Sequence, residues 1–219
     1  PDGSINRGRE ATAPSIDGID QFGSANYPVL YNAGWAWAMN TPFQYYKHIA
    51  SHLGGVRNGL IVKWPGHVAR PGSFRTQYGF VTDIAPTVYE ATGSNLPEVV
   101  DGIQQMSLDG ISLMYSFNDA AAPSRRHEQY IENNGNRSFY RNGWMAGTIP
   151  PKQLWDKGTF PPVATWSWQL YDLDHDFSQA RNVASKYPKK LEELRAAYSA
   201  AEQANGFTTR QTPEGRPGE

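Results

Sequence analysis

One short segment sets the strongest constraint on how this chain can fold. Residues 59–64, Gly-Leu-Ile-Val-Lys-Trp, form an apolar run that ends at Pro65 and Gly66. Such a run between turn residues predicts a strand buried on both faces, as in a parallel sheet. A strand of this kind needs neighbouring strands and covering helices, because a bare edge leaves backbone groups unsatisfied and promotes aggregation. The sequence offers one such strand, so we expect a larger α/β segment, upstream in the natural chain or carried separately, to complete its sheet.

The segment that follows this strand predicts a helix over residues 81–93. Thr82 or Asp83 is suited to cap its N-terminus, and Pro86 falls in the first turn, where no amide partner is lost. Gly93 is suited to end it, because glycine adopts the left-handed conformation found after many helices. We therefore expect one strand and one helix of a large α/β sheet in this half of the chain.

The second half predicts a small antiparallel sheet packed on a C-terminal helix. Four segments favour strands: residues 129–132, 138–141, 144–147 and 166–172. Asn142 and Gly143 predict a tight primed turn between the second and third strands. Residues 188–204 predict the closing helix, which begins at Pro188. Its apolar residues recur at helical spacing and would pack on the sheet: Leu191, Leu194, Tyr198 and Ala201.

These patterns divide the chain into four parts. Residues 1–40, with many Gly, Pro, Asn and Ser, predict a loop-rich lead-in that runs over a missing catalytic portion. Residues 41–126 would be the end of a large α/β domain, and residues 127–207 the small antiparallel subdomain with its C-terminal helix. Residues 208–219 predict a loose tail.

The residue counts exclude several classes of function. The chain has 20 basic and 21 acidic residues with no basic block, so we predict no nucleic-acid partner. No apolar stretch approaches the roughly 20 residues that span a bilayer, so we predict no membrane span. Cysteine is absent, which excludes disulfides, thiolate metal sites and a cysteine nucleophile in this segment.

No complete catalytic constellation is present in the sequence. There is no serine nucleophile elbow, glycine-rich phosphate loop or HExxH pair. His48 and His52 have the spacing that places two side chains on one helix face, but two ligands alone do not hold a catalytic metal. We therefore predict no metal site in this chain and favour one of these histidines as a hydrogen-bonding residue near a ligand.

Four segments resemble sulfatases, in the order in which that family has them. GWAWAMNTPFQYYKHIASHLGGVRNGLIVKWPG resembles the stretch where a lysine precedes a Gly-Gly-x-Arg turn and a strand ending in Trp-Pro-Gly. QYGFVTDIAPTVYEATG is similar to the helix that follows. QYIENNGNRSFYRNGWMAGT and WQLYDLDHDFSQARNVASKYPKKLEEL resemble the C-terminal antiparallel sheet and closing helix. The resemblance runs from about residue 33 to residue 205 and is greatest to the large bacterial arylsulfatases.

The resemblance implies the C-terminal part of an alkaline-phosphatase-like α/β fold that hydrolyses sulfate esters. In that family a formylglycine, made from the Cys or Ser of a C/S-x-P/A-x-R motif, attacks the ester, and a calcium ion held mainly by Asp and Asn polarises the sulfate. Neither group has a counterpart in this sequence, and Asn133-Asn134 do not replace the metal ligands. The implied partners are the N-terminal sulfatase portion of the same protein, which would carry both groups, and a small-molecule sulfate ester.

The resemblance assigns one functional residue to this chain, Lys47. It matches the lysine that contacts the substrate sulfate, and an ammonium group with three donors suits a sulfate oxygen and charge on the leaving oxygen. Where many sulfatases have Glu or Gln before Gly-Gly, this sequence has Leu53, and the Lys-to-Arg spacing is one residue longer. The extra residue leaves Lys47 in place or brings His48 or His52 closer to the sulfate.

Three further residues complete the set of candidates. His52 is the second candidate for a catalytic group. Trp37 is a candidate to line the pocket mouth and stack an aryl leaving group, with core packing as the alternative. Arg57 is expected to anchor the turn by pairing with a carboxylate.

Two other functions remain open at the level of sequence. One is a phosphonate monoester or phosphodiester hydrolase of the same superfamily, and the other is a non-catalytic, aromatic-rich module that binds carbohydrate or protein. The compartment is not fixed by the sequence, with a periplasmic or secreted bacterial location favoured over a cytoplasmic one.

Overall fold

The structure, a computed structural model, describes residues 20, 33–70, 72–151 and 161–206. Most of the predicted lead-in and the whole predicted tail, residues 208–219, lie outside these ranges. The helices are α1 (Ala33–Asn40), α2 (Leu53–Val56), α3 (Ile84–Thr92), α4 (Met114–Asn118) and α5 (Pro188–Ala204). The strands are β1 (Val99–Val100), β2 (Ile103–Gln104), β3 (Glu128–Asn133), β4 (Asn136–Arg141), β5 (Trp144–Thr148) and β6 (Trp168–Asp172). Short 3-10 helices cover Val81–Asp83 and Val163–Thr165.

The predicted antiparallel sheet is confirmed, with the order β3-β4-β5-β6. Asn142 (φ 46°) and Gly143 (φ 82°) form the predicted turn between β4 and β5, where Arg141 pairs with Trp144. Positive φ at both central residues matches the right-handed twist of the strands. A second turn of the same kind, Asn134 (φ 51°) and Gly135 (φ 81°), joins β3 to β4 and was not anticipated from the sequence.

One face of this sheet packs on α5. Successive residues of a strand point to opposite faces, so Phe139 and Tyr140 face different cores. Phe139 and Leu170 pack against Leu194 and Tyr198 of α5, which confirms the predicted amphipathic helix. Pro188 begins this helix, as predicted.

The other face of the sheet packs on the segment that contains α2. Its core consists of buried residues from β4, β5, β6, the loop after β6 and α2: Tyr140, Met145, Tyr171, Leu173 and Leu53. Ser138 donates its hydroxyl to the backbone oxygen of Ala50 at 2.8 Å. A side chain at Gly147 would meet the backbone oxygen of Ser51 at 2.3 Å, so glycine is needed there. The sheet therefore lies between α5 and the segment that carries Lys47.

The predicted helix at residues 81–93 is confirmed, but its start differs from the prediction. A 3-10 turn precedes α3, and Gly93 (φ 64°) ends the helix in the left-handed conformation. Asp83 is buried and accepts hydrogen bonds from the amides of Phe80 (2.8 Å) and Ile111 (2.7 Å) instead of capping α3. Arg126 forms an ion pair with the same carboxylate, which ties the helix to the start of the sheet region.

Two sequence predictions of secondary structure are corrected by the structure. The last eight residues of the predicted lead-in form α1 rather than loop. Residues 59–64 form no strand. A strand needs a neighbouring strand to pair with, and the two sheets of the described residues, β1-β2 and β3-β4-β5-β6, place none beside them. The run stays apolar and uncovered, and Ile61 is 94% exposed. Among the described helices, none has the length and apolar character needed to cross a membrane.

Candidate functional site

Lys47 lies in the segment that connects α1 to α2, and its side chain is exposed. The residues around it hold an unusual backbone conformation. Tyr45 (φ 64°) and His48 (φ 80°) both occupy the left-handed region, which bulky residues rarely adopt. Such conformations persist only where the surrounding structure enforces them, and they cluster at functional sites.

The Gly54-Gly55 pair enforces this conformation by close packing of backbone on backbone. A side-chain carbon at Gly54 would lie 2.0 Å from the oxygen of Gln44, and one at Gly55 would lie 2.0 Å from the oxygen of Ile49. Asn40 adds hydrogen bonds from its amide nitrogen to the oxygens of Tyr45 (2.8 Å) and Gly54 (2.5 Å). The two glycines of the motif are therefore required because α2 rests on the backbone on both sides of Lys47.

His52 is fully buried beneath this segment, and both of its ring nitrogens have protein partners. Nδ1 lies 2.9 Å from the hydroxyl of Ser51, while Nε2 lies 3.2 Å from the hydroxyl of Tyr171 and 3.3 Å from Oε1 of Gln169. Because Oε1 of Gln169 can only accept, the proton belongs on Nε2, and Ser51 donates to Nδ1. Burial lowers the pKa of His52 from 6.5 to about 4, against the opposing effect of the hydrogen bond with Gln169. The imidazole is thus neutral near pH 7 and takes no part in charge pairing there.

Trp37 is joined to this region by a series of aromatic contacts. Its ring is 39% exposed and lies 5.6 Å from the ring of Tyr45 and 6.1 Å from that of Tyr46. The ring of Tyr45 lies in turn 4.6 Å from the imidazole of His52. The structure therefore brings Trp37 and His52 into one aromatic cluster, and Tyr46 of that cluster is the residue before Lys47.

Arg57 does not make the expected pair with a carboxylate. None of the ion pairs in the described ranges includes it. Its guanidinium carbon lies instead 4.8 Å from the ring centre of Phe43 and 5.5 Å from that of Phe177. Arg57 anchors the turn through cation–π contacts with aromatic rings.

Gln179, in the loop between β6 and α5, contacts the same segment and was not anticipated from the sequence. Its side-chain oxygen accepts a hydrogen bond from the amide of Leu53 at 2.6 Å. Its backbone oxygen accepts another from the side chain of Gln44. No local pattern marks this residue, because its partners are more than 120 residues away in sequence.

The sulfatase resemblance implies a calcium ion and a formylglycine in addition to Lys47. No cluster of three or more His, Asp or Glu side chains among the described residues is placed to hold a metal ion. The part of the chain that the structure describes therefore offers no carboxylate cluster for a calcium ion. What the arrangement offers is an exposed lysine on a fixed backbone, and a partly exposed Trp37 ring that packs on the two residues before that lysine.

Several known proteins resemble this chain over part of their own length. No protein-family profile matches the chain. An arylsulfatase of Klebsiella aerogenes is 30% identical over 114 residues, which are 52% of this chain and 24% of that protein. An uncharacterised sulfatase of Schizosaccharomyces pombe is 23% identical over 194 residues, 87% of this chain and 33% of that protein.

The chain is also similar to the crystal structure of Ps i-CgsB, with a TM-score of 0.53 and 19% sequence identity. The match covers 74% of this chain and 32% of the Ps i-CgsB chain. A second structure of Ps i-CgsB, in complex with k-i-k-neocarrahexaose, has the same TM-score and 17% identity. The chain thus spans between 24% and 33% of the length of these relatives. The described residues form part of the alkaline-phosphatase-like α/β fold, and the chain is related to the sulfatase family at this partial coverage.

Proposed function

We propose that this chain is the C-terminal part of a sulfuric ester hydrolase of the arylsulfatase type, in which Lys47 binds the sulfate group of the substrate. The observation that carries the proposal is an exposed lysine on a backbone held by Gly54 and Gly55, in a chain related to sulfatases. The resemblance that first pointed to Lys47 is thereby joined to a physical reason for its placement.

The chemistry of Lys47 follows from its charge and its fixed position. Among the described residues it has no carboxylate partner, so its ammonium group is available to an anion. Its three N–H donors suit the oxygens of a sulfate ester. Negative charge builds on the leaving oxygen as the ester bond breaks, and a donor already in place stabilises that charge without rearranging.

Trp37 is proposed to line the entrance to the site. Its partly exposed ring is held by Tyr45 and Tyr46, so a planar aryl leaving group would meet a surface that is already ordered. His52, the second catalytic candidate, stays a prediction. Its burial and neutral imidazole favour hydrogen bonding under the Lys47 segment over direct contact with sulfate.

The nucleophile and the metal are proposed to lie in a portion of the polypeptide that precedes this chain. That portion would hold a formylglycine, which supplies a nucleophilic oxygen, and a calcium ion, which supplies positive charge for the sulfate oxygens. Support comes from the coverage of the relatives, of which this chain spans a third or less. A periplasmic or secreted bacterial location is proposed with this assignment.

An uncovered apolar surface supports the same partner. Leu60, Ile61 and Val62 of the predicted strand are exposed, as are Val81 and Val88 beside and within α3. Isolated exposed apolar residues are ordinary in soluble proteins, but a contiguous apolar segment of this kind marks an interface. We propose that the preceding α/β portion of the same protein covers this surface by pairing a strand with residues 59–64.

Hydrolysis of two matched esters by the complete protein tests the proposal. An aryl sulfate and an aryl phosphonate monoester with the same phenol leaving group differ only in the group that the site must bind. The proposal predicts a higher kcat/KM for the sulfate. A preference for the phosphonate would identify a phosphonate hydrolase, and turnover of neither ester would favour a binding module.

A further inference from the structure

The loop between β6 and α5 is shaped to direct one side chain inward. The carboxylate of Asp176 accepts hydrogen bonds from the hydroxyl of Ser178 (2.9 Å) and the amides of Ala180 (3.1 Å) and Arg181 (2.7 Å). Burial of Asp176 opposes its ionisation, but these hydrogen bonds prevail and hold its pKa below the usual range. The resulting turn places Gln179 at φ 59°, and this residue is 1% exposed.

Gln179 holds both ends of the segment that carries Lys47. At one end, the amide of Leu53 donates to Oε1 of Gln179 at 2.6 Å. At the other end, the side chain of Gln44 donates to the backbone oxygen of Gln179. The side-chain amide nitrogen of Gln179, Nε2, lies 3.5 Å from the sulfur of Met145, in the core of the sheet. A single buried residue therefore links residues 44 and 53 to the sheet, with Lys47 between them.

The hydrogen bond to Leu53 has a further structural reason. Leu53 is the first residue of α2, and the preceding residue, His52, makes no side-chain capping bond to that helix. The first amides of a helix lack partners within it, and a buried amide without any partner is costly. Gln179 supplies the missing acceptor from a distant part of the chain. Without it, we expect the start of α2 and the backbone before it to shift.

We propose that Gln179 is a positioning residue for the sulfate-binding lysine, because it fixes Lys47 without touching the substrate. This inference rests on the proposed function of Lys47. It extends the site from the segment after α1 to the loop after β6, to which the sulfatase resemblance gives no functional role.

Two substitutions in the complete protein separate the hydrogen bond from packing. Gln179→Met keeps a similar size and removes the acceptor, whereas Gln179→Glu keeps an acceptor oxygen. A displacement of about 1 Å at a catalytic group costs about 100-fold in rate. We therefore expect Gln179→Met to lower the kcat for an aryl sulfate by about 10- to 100-fold with a smaller change in KM, and Gln179→Glu to keep more of the activity.

Asn182 in the same loop provides the matched control. Its side-chain oxygen also accepts backbone amides, from Leu170 at 3.1 Å and from Ala184 at 3.0 Å, and neither donor belongs to the Lys47 segment. Asn182→Leu is expected to lower the melting temperature and to leave kcat unchanged. Hydrogen exchange should quicken over residues 44–53 in Gln179→Met and stay unchanged there in Asn182→Leu.

A double-substitution cycle decides between positioning and general stability. If Gln179 acts through Lys47, adding Gln179→Met to Lys47→Ala causes little further loss. Equal fold losses in both backgrounds, or unchanged exchange over residues 44–53, would overturn the inference. Full activity in Lys47→Ala, combined with loss in Gln179→Met, would instead show that the proposed role of Lys47 is wrong.

Discussion

Gly54→Ala is expected to damage the candidate site without removing any functional group. The added carbon would lie 2.0 Å from the oxygen of Gln44 and 2.7 Å from that of Tyr45. Ordinary contact begins near 3.4 Å, and both neighbours are backbone atoms that cannot rotate away. The Lys47 segment or α2 must therefore move by about 1.4 Å, the difference between these two distances.

The cost follows from that displacement. A misplacement of about 1 Å lowers the rate of a catalytic step by about 100-fold. Overpacking of this kind also destabilises a fold by about 1–3 kcal/mol. We expect Gly54→Ala to lower kcat/KM for an aryl sulfate by at least about 100-fold in the complete protein. Stability in urea should fall over the same range, about 1–3 kcal/mol.

Gly79→Ala is the matched control for this substitution. Its added carbon would meet its nearest neighbour, a side-chain carbon of Leu113, at 3.6 Å, which is ordinary contact. We expect stability within about 0.5 kcal/mol of the parent and unchanged kcat/KM. If Gly54→Ala has the kinetics and stability of the parent, the close packing of α2 on the Lys47 segment does not hold that segment in place.

Three further predictions concern stability and protonation. Asp83→Asn should destabilise the protein by about 3–5 kcal/mol in urea at pH 7, because it leaves Arg126 buried without its counter-charge. Burial favours the neutral acid, but Arg126 and two amides hold the pKa of Asp83 below its unfolded value. This stabilisation is therefore present above the unfolded pKa and is lost as pH falls through the folded pKa. A difference in unfolding free energy between the parent and Asp83→Asn that is the same at pH 3 as at pH 7 would contradict this. The imidazole of His52 should titrate near pH 4 by NMR. Its neutral form should stabilise the fold fully at and above pH 6.5, and this stabilisation should be lost as pH falls from 6.5 to about 4. Titration near pH 6.5 would refute the burial of His52. Ile61→Asp should lower the melting temperature of the complete protein by several degrees, because this exposed residue is proposed to lie in an interface with the preceding portion. An unchanged melting temperature would show that the surface is not covered.

The antiparallel sheet and its helix could be predicted because their signals are local. Asn142-Gly143 has one favoured turn geometry between strands, and Pro188 favours the first position of a helix. The spacing that predicted an apolar face on α5 is a property of the helix itself. These features need no knowledge of the rest of the fold.

The predicted strand at residues 59–64 shows the limit of a pattern. The apolar run correctly indicates a segment that needs to be covered. Pairing, however, requires a second strand, and the described residues contain none beside it. Arg57 shows a related limit, because its partner ring on Phe177 lies 120 positions away and no spacing rule connects the two.

The candidate site was likewise predicted only in part from the sequence. Lys47 and the two glycines were found through a motif, but the motif does not reveal the left-handed backbone at Tyr45 and His48. The side chain of Leu53, at the position where many sulfatases have Glu or Gln, is buried in the core with Met145, and Gln179 accepts its backbone amide from another part of the fold. Long-range backbone contacts of this type cannot be read from one sequence.

Lys47 is proposed to bind the sulfate group of an ester substrate, and the kinetics of two lysine variants measure that role. Lys47→Ala and Lys189→Ala, an exposed lysine on α5, would be measured in the complete protein with an aryl sulfate. If Lys47 binds the sulfate, Lys47→Ala loses about 2–4 kcal/mol of transition-state stabilisation, roughly 30- to 1000-fold in kcat/KM, while Lys189→Ala matches the parent. Equal kcat/KM values for the two variants would contradict it.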